Sequence, residues 1–221
     1  MPDDRICGLN AVSALFARRL EDVNRLHYSD AMKGAAGPLC AVLARRHIPY
    51  RMLPPLELER VAGTKHHGGI VALAAPRPIP ELDRARPPRV SFLLVLDGIG
   101  NPHNLGAIAR SAAFFGVRAL LLHDTADQAF PSDAAYRVAE GGLEYLDLYR
   151  ARDLPGVLRA IDPFYRTVAA ALGSDAAPLP PCRAIGRWPW CWAMRSMGSC
   201  RRCWPPAAAG SASSRGVRCK V

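Results

Sequence analysis

Asn104 and Arg110 stand where a chain builds sites: an amide in a tight polar turn, and a permanently charged guanidinium farther into the helix that follows. The run Val90, Phe92, Leu93, Leu94, Val95 and Leu96 predicts a parallel strand covered on both faces, and Asp97-Gly98 ends it. Pro102 restricts the chain ahead of the helix and Asn104 can cap free N–H groups. Gly106, Ala107, Ala109, Ala112 and Ala113 let other backbone come close. Strand, turn and helix also join ligand-free elements in many α/β domains, where an arginine such as Arg110 is a solvated flank charge. The segment by itself leaves both readings open.

A second group of candidates is basic. The formal net charge is +10, but eight of the basic residues and no acidic one fall in Cys182 to Val221, so the first 181 residues are close to neutral. A nucleic-acid reading must rest on local patches instead: Arg18, Arg19, Arg45, Arg46, Lys65, His66 and His67. The arginine pairs also suit helix ends, where a cation favours the helix dipole, and the histidines suit the end of a strand. No Cys, Asp or Glu stands at ligand spacing from His66 and His67, so no metal is expected there. Cys7 and Cys40 read as small buried apolar residues.

The elements that must position these residues alternate. Helix Asn10 to Arg19, a strand near Asp22 to Leu26, helix Pro38 to His47, helix Leu56 to Ala62 and strand Gly69 to Ala74 predict an α/β domain over 5–75. Pro76, Pro78, Pro80, Pro87 and Pro88 make 76–89 a semi-rigid linker. Strand Val90 to Leu96, helix Leu105 to Phe115, strand Arg118 to Leu122 and helix Ser132 to Ala139 open a second domain over 90–181. Strand Glu144 to Leu148, helix Leu154 to Ile161 and strand Thr167 to Ala171 continue it with a mostly parallel sheet. No stretch approaches a membrane span, and the start, Met-Pro-Asp-Asp-Arg, lacks a secretory pattern, so the cytoplasm is expected.

Asp97, Pro102, Asn104, Gly106, Arg110, Gly116 and Val117 together resemble the first signature of the SpoU family of RNA ribose methyltransferases. Cys7-Gly8-Leu9-Asn10-Ala11-Val12 and His66-His67-Gly68-Gly69-Ile70-Val71-Ala72-Leu73 resemble the ends of the small RNA-binding domain that precedes the catalytic one in many members. Ala139-Glu140-Gly141-Gly142-Leu143-Glu144-Tyr145 resembles the next helix-to-strand turn. The resemblance implies a small L30e-like α/β RNA-binding domain followed by a SPOUT domain of trefoil-knot type with a mostly parallel sheet. It further implies methyl transfer from S-adenosylmethionine to a ribose 2′-hydroxyl of rRNA or tRNA, and a homodimer formed through the knotted region. A ribose hydroxyl is a feeble nucleophile near neutral pH, so an enzyme must align it and help remove its proton. The family assigns Arg110 to that hydroxyl and Asn104 to shaping the site. Since arginine normally stays protonated, positioning a phosphate is an equally defensible role for Arg110.

After Pro181 the composition changes: all four Trp and five of the seven Cys lie beyond it. Trp and Met have single codons, so the run Trp188 to Gly198 can be read with each codon begun at the third base of the preceding one. That frame forces Ala, Val, Leu and Gly and permits Asn, Glu and His, a string resembling the second SpoU signature. Cys203-Trp204-Pro205 forces Leu-Ala, as in the helix that follows. A frame change between Ala176 and Arg187 is therefore expected, leaving the catalytic domain incomplete, 182–221 out of frame and disordered, and the dimer without its interface. No cofactor-binding residue is assigned. Three function classes remain: an RNA 2′-O-methyltransferase, a non-catalytic RNA-binding protein, and a metal-binding adaptor built on Cys200-x-x-Cys203.

Overall fold

The computed structural model describes residues 3–170 together with the backbone of 177–178, 190–195 and 217–220. It divides into two compact units that do not follow chain order: Met1–Pro78, Pro102–Phe115 and Phe130–Tyr145 form the first, and Ile79–Asn101, Gly116–Ala129 and Leu146–Val221 the second.

The first unit holds a four-stranded mixed sheet, order β1-β4-β2-β3, made of β1 (Asp4–Cys7), β2 (Val23–Tyr28), β3 (Tyr50–Met52) and β4 (Ile70–Ala74). β4 runs antiparallel to β1 and β2, while β3 adds to β2 in parallel as an edge. Helices α1 (Leu9–Arg18), α2 (Lys33–Arg45) and α3 (Pro55–Ala62) accompany it. Cys7, Leu53, Leu58, Ala62 and Val71 make an apolar cluster on one sheet face. α3 begins with Pro55 at a first-turn position and closes on Gly63 at φ 67, a left-handed conformation that glycine adopts without cost. Here α2 starts at Lys33, ahead of the expected Pro38, after a 3-10 turn at Asp30–Met32, and keeps Pro38 on its exposed side. β1 was not expected, because its alternating Asp-Arg-Ile-Cys is short and half polar.

Helices α4 (Pro102–Phe114) and α5 (Asp133–Ala139) complete the first unit, followed by a 3-10 turn at Gly142–Tyr145. α4 buries Leu105, Gly106, Ala109 and Ala112, and it packs on α5 at near-backbone contact. A Cβ placed on Gly106 would lie 2.5 Å from the Ala135 carbonyl oxygen and 2.9 Å from Val138 Cβ. The close approach expected of Gly106 is thus realised, with α5 as the neighbour. Ser132 caps α5 by accepting from the Ala135 N–H at 3.4 Å.

The second unit is a seven-stranded sheet, order β7-β6-β5-β10-β8-β11-β9, with every strand pairing among the described residues parallel. Its strands are β5 (Phe92–Asp97), β6 (Ala119–His123), β7 (Asp147–Ala151), β8 (Arg166–Ala170), β9 (Ala177–Pro178), β10 (Trp190–Arg195) and β11 (Val217–Lys220). α6 (Leu154–Ile161), capped by Asp153 accepting from the Gly156 N–H at 3.0 Å, covers it through Leu154, Val157, Leu158 and Ile161. These meet Leu82, Leu93, Val95, Ala119, Leu121 and Tyr165, and the Tyr165 hydroxyl donates to the Pro88 carbonyl. The parallel sheet matches expectation. The strand expected over Glu144 to Leu148 instead becomes the 3-10 turn followed by β7, because Gly141-Gly142 delays the extended chain.

Two pieces of the stretch expected to be disordered are strands. Trp190–Arg195 lies between β5 and β8, and Val217–Lys220 lies beside β8. Trp-Cys-Trp-Ala-Met is an apolar run of strand length and fits a sheet interior whatever frame produced it. The rest of 182–221, including Cys200-x-x-Cys203, lies outside the described residues. Among the described residues, no helix is long and apolar enough to cross a membrane.

Replacing Gly106 by Ala is expected to cost about 1–3 kcal/mol of stability, the typical price of overpacking, measured by urea denaturation; an unchanged midpoint would contradict the α4–α5 contact.

Candidate functional site

The exposed side of α4 carries His103, Asn104, Ala107, Arg110, Ser111 and Phe114; Asn104 and Arg110, six residues apart, stand about 120° apart at its two edges. α4 begins at Pro102. Pro102 is therefore the first residue of the helix, and Asn104 sits inside the first turn, exposed, rather than ahead of it as a cap. Proline suits that place because its missing N–H would have no partner there.

Arg110 is held from below and from the side. Gly142 lies against its backbone: a Cβ there would stand 2.8 Å from Arg110 Cα and 3.0 Å from the Ala109 carbonyl oxygen. Arg110 Nη1 donates to Glu140 Oε1 at 2.8 Å, with both side chains about half exposed. Glu140 ends α5 at φ 45 and ψ 41, a left-handed conformation uncommon for a non-glycine residue. One N–H of the guanidinium is spent on Glu140; the fork retains others that suit a phosphate or a hydroxyl.

The turn carrying Glu140 and Gly142 is itself tied to α1. Arg19 Nε donates to Glu144 Oε2 at 2.7 Å and Nη2 to Glu144 Oε1 at 3.0 Å, while Nη1 donates to Asp22 Oδ2 at 3.0 Å and to the Ala75 carbonyl at 3.3 Å. Arg19 is 8% exposed and Glu144 3%. Burial opposes the Arg19 charge, but the hydrogen bond to Glu144 and its Coulomb attraction outweigh that and hold the guanidinium above its ordinary pKa. Arg19 is thus a buried structural cation with its donors engaged, and the expectation that it contacts RNA is corrected on that ground. Arg77 Nη1 donates to the Leu143 carbonyl at 2.6 Å, fastening the same turn once more.

The other expected contacts are more open. Arg18 is exposed and lies over the Tyr145 ring at 5.7 Å, a cation–π arrangement. Arg45 and Arg46 are exposed at the end of α2. Lys65 and His66 are exposed in the loop before β4, where the His66 N–H donates to Thr64 Oγ1 at 3.2 Å. His67 is half-buried, and its Nδ1 accepts the Gly69 N–H at 3.0 Å, which leaves its proton on Nε2. Cys7 and Cys40 are free and buried. Burial pushes the Cys7 thiol from 9.0 to about 11.

In the second unit, the C-terminal ends of β5 and β6 are joined by Asp97 Oδ1 and His123 Nδ1 at 2.7 Å, both buried. The turn after β5 is gripped by Gln128, whose Oε1 accepts the Ile99 N–H at 3.1 Å and whose Nε2 donates to the Ala129 carbonyl at 2.9 Å. Gly98 is left-handed at φ 74, which explains the glycine there. Sequence reasoning missed His123, Gln128, Glu140 and Glu144 as supports. The Glu-Gly-Gly-Leu-Glu string reads as a turn, but nothing in its spacing reveals that one carboxylate reaches Arg110 on α4 and the other Arg19 at the end of α1.

Residues 5–80 match the family described as RNA 2'-O ribose methyltransferase substrate binding, and residues 91–185 match the SpoU rRNA Methylase family. The chain is 37% identical over 149 residues to an uncharacterized tRNA/rRNA methyltransferase of Haemophilus influenzae, covering 66% of this chain and 42% of that protein. It therefore spans less than half the length of that relative. It is 30% identical over 195 residues to the 23S rRNA (guanosine-2'-O-)-methyltransferase RlmB of Escherichia coli K12, covering 83% of this chain and 77% of that one. The fold is similar to that of an AdoMet-bound rRNA methyltransferase from Sinorhizobium meliloti, with a TM-score of 0.72 at 17% identity, covering 100% of this chain and 78% of the other.

Three outcomes follow from this geometry. Arg19→Met alone should cost about 3–5 kcal/mol in urea denaturation, because Glu144 is left buried and unpaired. Arg110→Ala should cost no more than about 1 kcal/mol, since its partner is half exposed; a larger loss would make Arg110 structural. The unfolded Cys7 thiol titrates near 9.0 and the folded one near about 11, so the neutral thiol favours the fold. Its contribution is whole below the lower value and is lost as pH rises through the higher one. The urea midpoint should fall more steeply across that window than in Cys7→Ala, and equal slopes would refute the shift.

Proposed function

The chain belongs to the SpoU rRNA methylase family, and from that premise we propose that it is built for methyl transfer from S-adenosylmethionine to a ribose 2′-hydroxyl of rRNA or tRNA, in a form impaired by an altered C-terminal segment. The observation that carries the reading is α4. Its exposed face presents Asn104 and Arg110, and a purpose-fitted turn supports it through Glu140 and Gly142.

Arg110 binds and orients: its remaining N–H groups reach an RNA phosphate or the ribose oxygen, fixing the nucleotide so that the hydroxyl is aligned and its proton can leave. Asn104, six residues earlier and at the other edge of the exposed side of α4, shapes the rim of that site. The small L30e-like domain grips RNA by shape and backbone, with Arg18, Arg45, Arg46, Lys65, His66 and His67 as its contacts. The catalytic domain is an incomplete SPOUT domain of trefoil-knot type.

S-adenosylmethionine supplies the methyl group when bound. The family's second and third signatures, whose loops hold the donor, have no counterpart in this sequence, so no residue of this chain is assigned to holding it. The family match ends at residue 185, inside the interval in which codon arithmetic places the frame change, and this supports a slipped base as the origin of the mismatch. Resequencing the gene tests it: one uninterrupted frame would reject the slip.

The same mismatch favours a second reading, a non-catalytic RNA-binding protein. Calorimetry on the full chain separates the two. Binding of S-adenosylmethionine with methyl transfer to RNA supports the first, and RNA binding without donor binding supports the second. In an intact-frame form, Arg110→Lys is expected to lower methylation by roughly tenfold or more, the effect of losing one oriented transition-state contact; an unchanged rate would reject a role for Arg110.

A further inference from the structure

Arg25, His27 and Arg51 meet on one face of the first sheet. Arg25 and His27 are two apart on β2, and His27 pairs in parallel register with Arg51 on the edge strand β3, so all three side chains leave the same side. On β4 and β1 that face is apolar, with Val71 and Cys7 in the cluster that includes Leu58 and Ala62 of α3. Toward β2 and β3 the same face becomes cationic.

Arg25 and Arg51 are both exposed, and neither has an ion-pair partner among the described residues. His27 is 7% exposed, and its Nδ1 has no hydrogen-bond partner. A buried polar nitrogen left unmet costs free energy that a bound partner would recover. Burial first, then the charges of Arg25 and Arg51, push the His27 pKa below its ordinary value. A hydrogen bond to the Arg51 backbone works the other way, and Nδ1, with no partner of its own, can carry the N–H and offer it as a donor. Two unpaired guanidiniums beside an orphaned imidazole donor match an oxyanion, which accepts from all three and relieves the repulsion between the arginines.

We propose that Arg25, His27 and Arg51 form a phosphate-binding subsite that takes a backbone phosphate of the RNA strand. The RNA source of that phosphate rests on the functional reading above; the oxyanion site itself does not. Its residues are separate from the basic groups picked out by sequence, because only strand register brings Arg25 and Arg51 together.

The test uses the full chain and two probes. Fluorescence anisotropy with a labelled single-stranded RNA oligonucleotide across a salt series should give a weaker complex for Arg25→Gln/Arg51→Gln, by roughly tenfold. The slope of log affinity against log salt should be shallower by about 0.7, the value for one phosphate of a single strand. Arg159→Gln, which removes an exposed charge in the second unit, should leave the slope unchanged. In parallel, inorganic phosphate should move the His27 ring signals in an NMR titration of the unaltered protein and not of the double variant. Thermal melts establish that the variants are folded. Unchanged RNA slope with no phosphate response at His27 overturns the subsite while leaving RNA binding standing. An equal loss in Arg159→Gln also overturns it, in favour of diffuse attraction. A phosphate response at His27 in a protein that binds no RNA upholds the oxyanion site and overturns its RNA source.

Discussion

The buried pair Arg19–Glu144 is the constraint on which the first unit is arranged. A carboxylate and a guanidinium removed from water are tolerable only when their hydrogen-bonding capacity is met. Arg19 meets that demand with Glu144, Asp22 and the Ala75 carbonyl at once. This fixes where the 3-10 turn at Gly142–Tyr145 sits against the end of α1. The turn in turn brings Gly142 under Arg110, and the residue two before it, Glu140, to the guanidinium of Arg110. The orientation of the signature arginine is thus set by a charge near the other end of the unit's sequence, through a chain of contacts with little room to slide: a Cβ added to Gly141 would stand 2.7 Å from Ala14 Cβ, and one added to Gly142 2.8 Å from Arg110 Cα.

Much of this architecture can be read from the residues in order. The apolar run ending at Asp97-Gly98, the small-residue helix after it and the alternation of strands with helices all point to a parallel sheet, and a parallel sheet is found. Gly106 could be read as a point of close approach because a small residue on a helix has few other uses. Elements that fail local rules were harder to see. β1 is half polar, and the opening of α2, Lys-Gly-Ala-Ala-Gly-Pro, is written in loop residues although it folds as helix. Among site residues, Asn104 and Arg110 were visible because a fixed pattern contains them. Arg19 looked like one more basic helix end, and its burial depends on a carboxylate far along the chain. Sequence distance hides such partners, since neither charge pattern nor periodicity carries information about which surfaces will meet. The C-terminal strands were hidden for another reason: an apolar run can satisfy a sheet position without carrying any signature.

The two ends of the signature are supported by different means. Asp97 is braced by a histidine on the neighbouring strand and the turn after it by the amide of Gln128, both polar devices within the second unit. α4 instead is seated by the absence of side chains, with Gly106 on α5 and Gly142 under Arg110. Polar bracing tolerates small displacements of backbone, whereas contact at glycine distance does not. Variation among members of such a family should accordingly be freer around His123 and Gln128 than around the two glycines.

Because the first unit is assembled from three separated stretches, its completion is out of step with synthesis. When residues 1–78 leave the ribosome, Arg19 lacks Glu144 and has Asp22 as its hydrogen-bonded carboxylate, and β1 lacks Asp133, whose Oδ1 later accepts the Arg5 N–H. The contacts of the first unit are complete only once residue 145 has emerged, and the loops that bring its later stretches back close at that late stage. During vectorial translation the nascent chain therefore carries an unfinished N-terminal unit past the point at which most domains would have closed, and it depends on its own later helices to bury it.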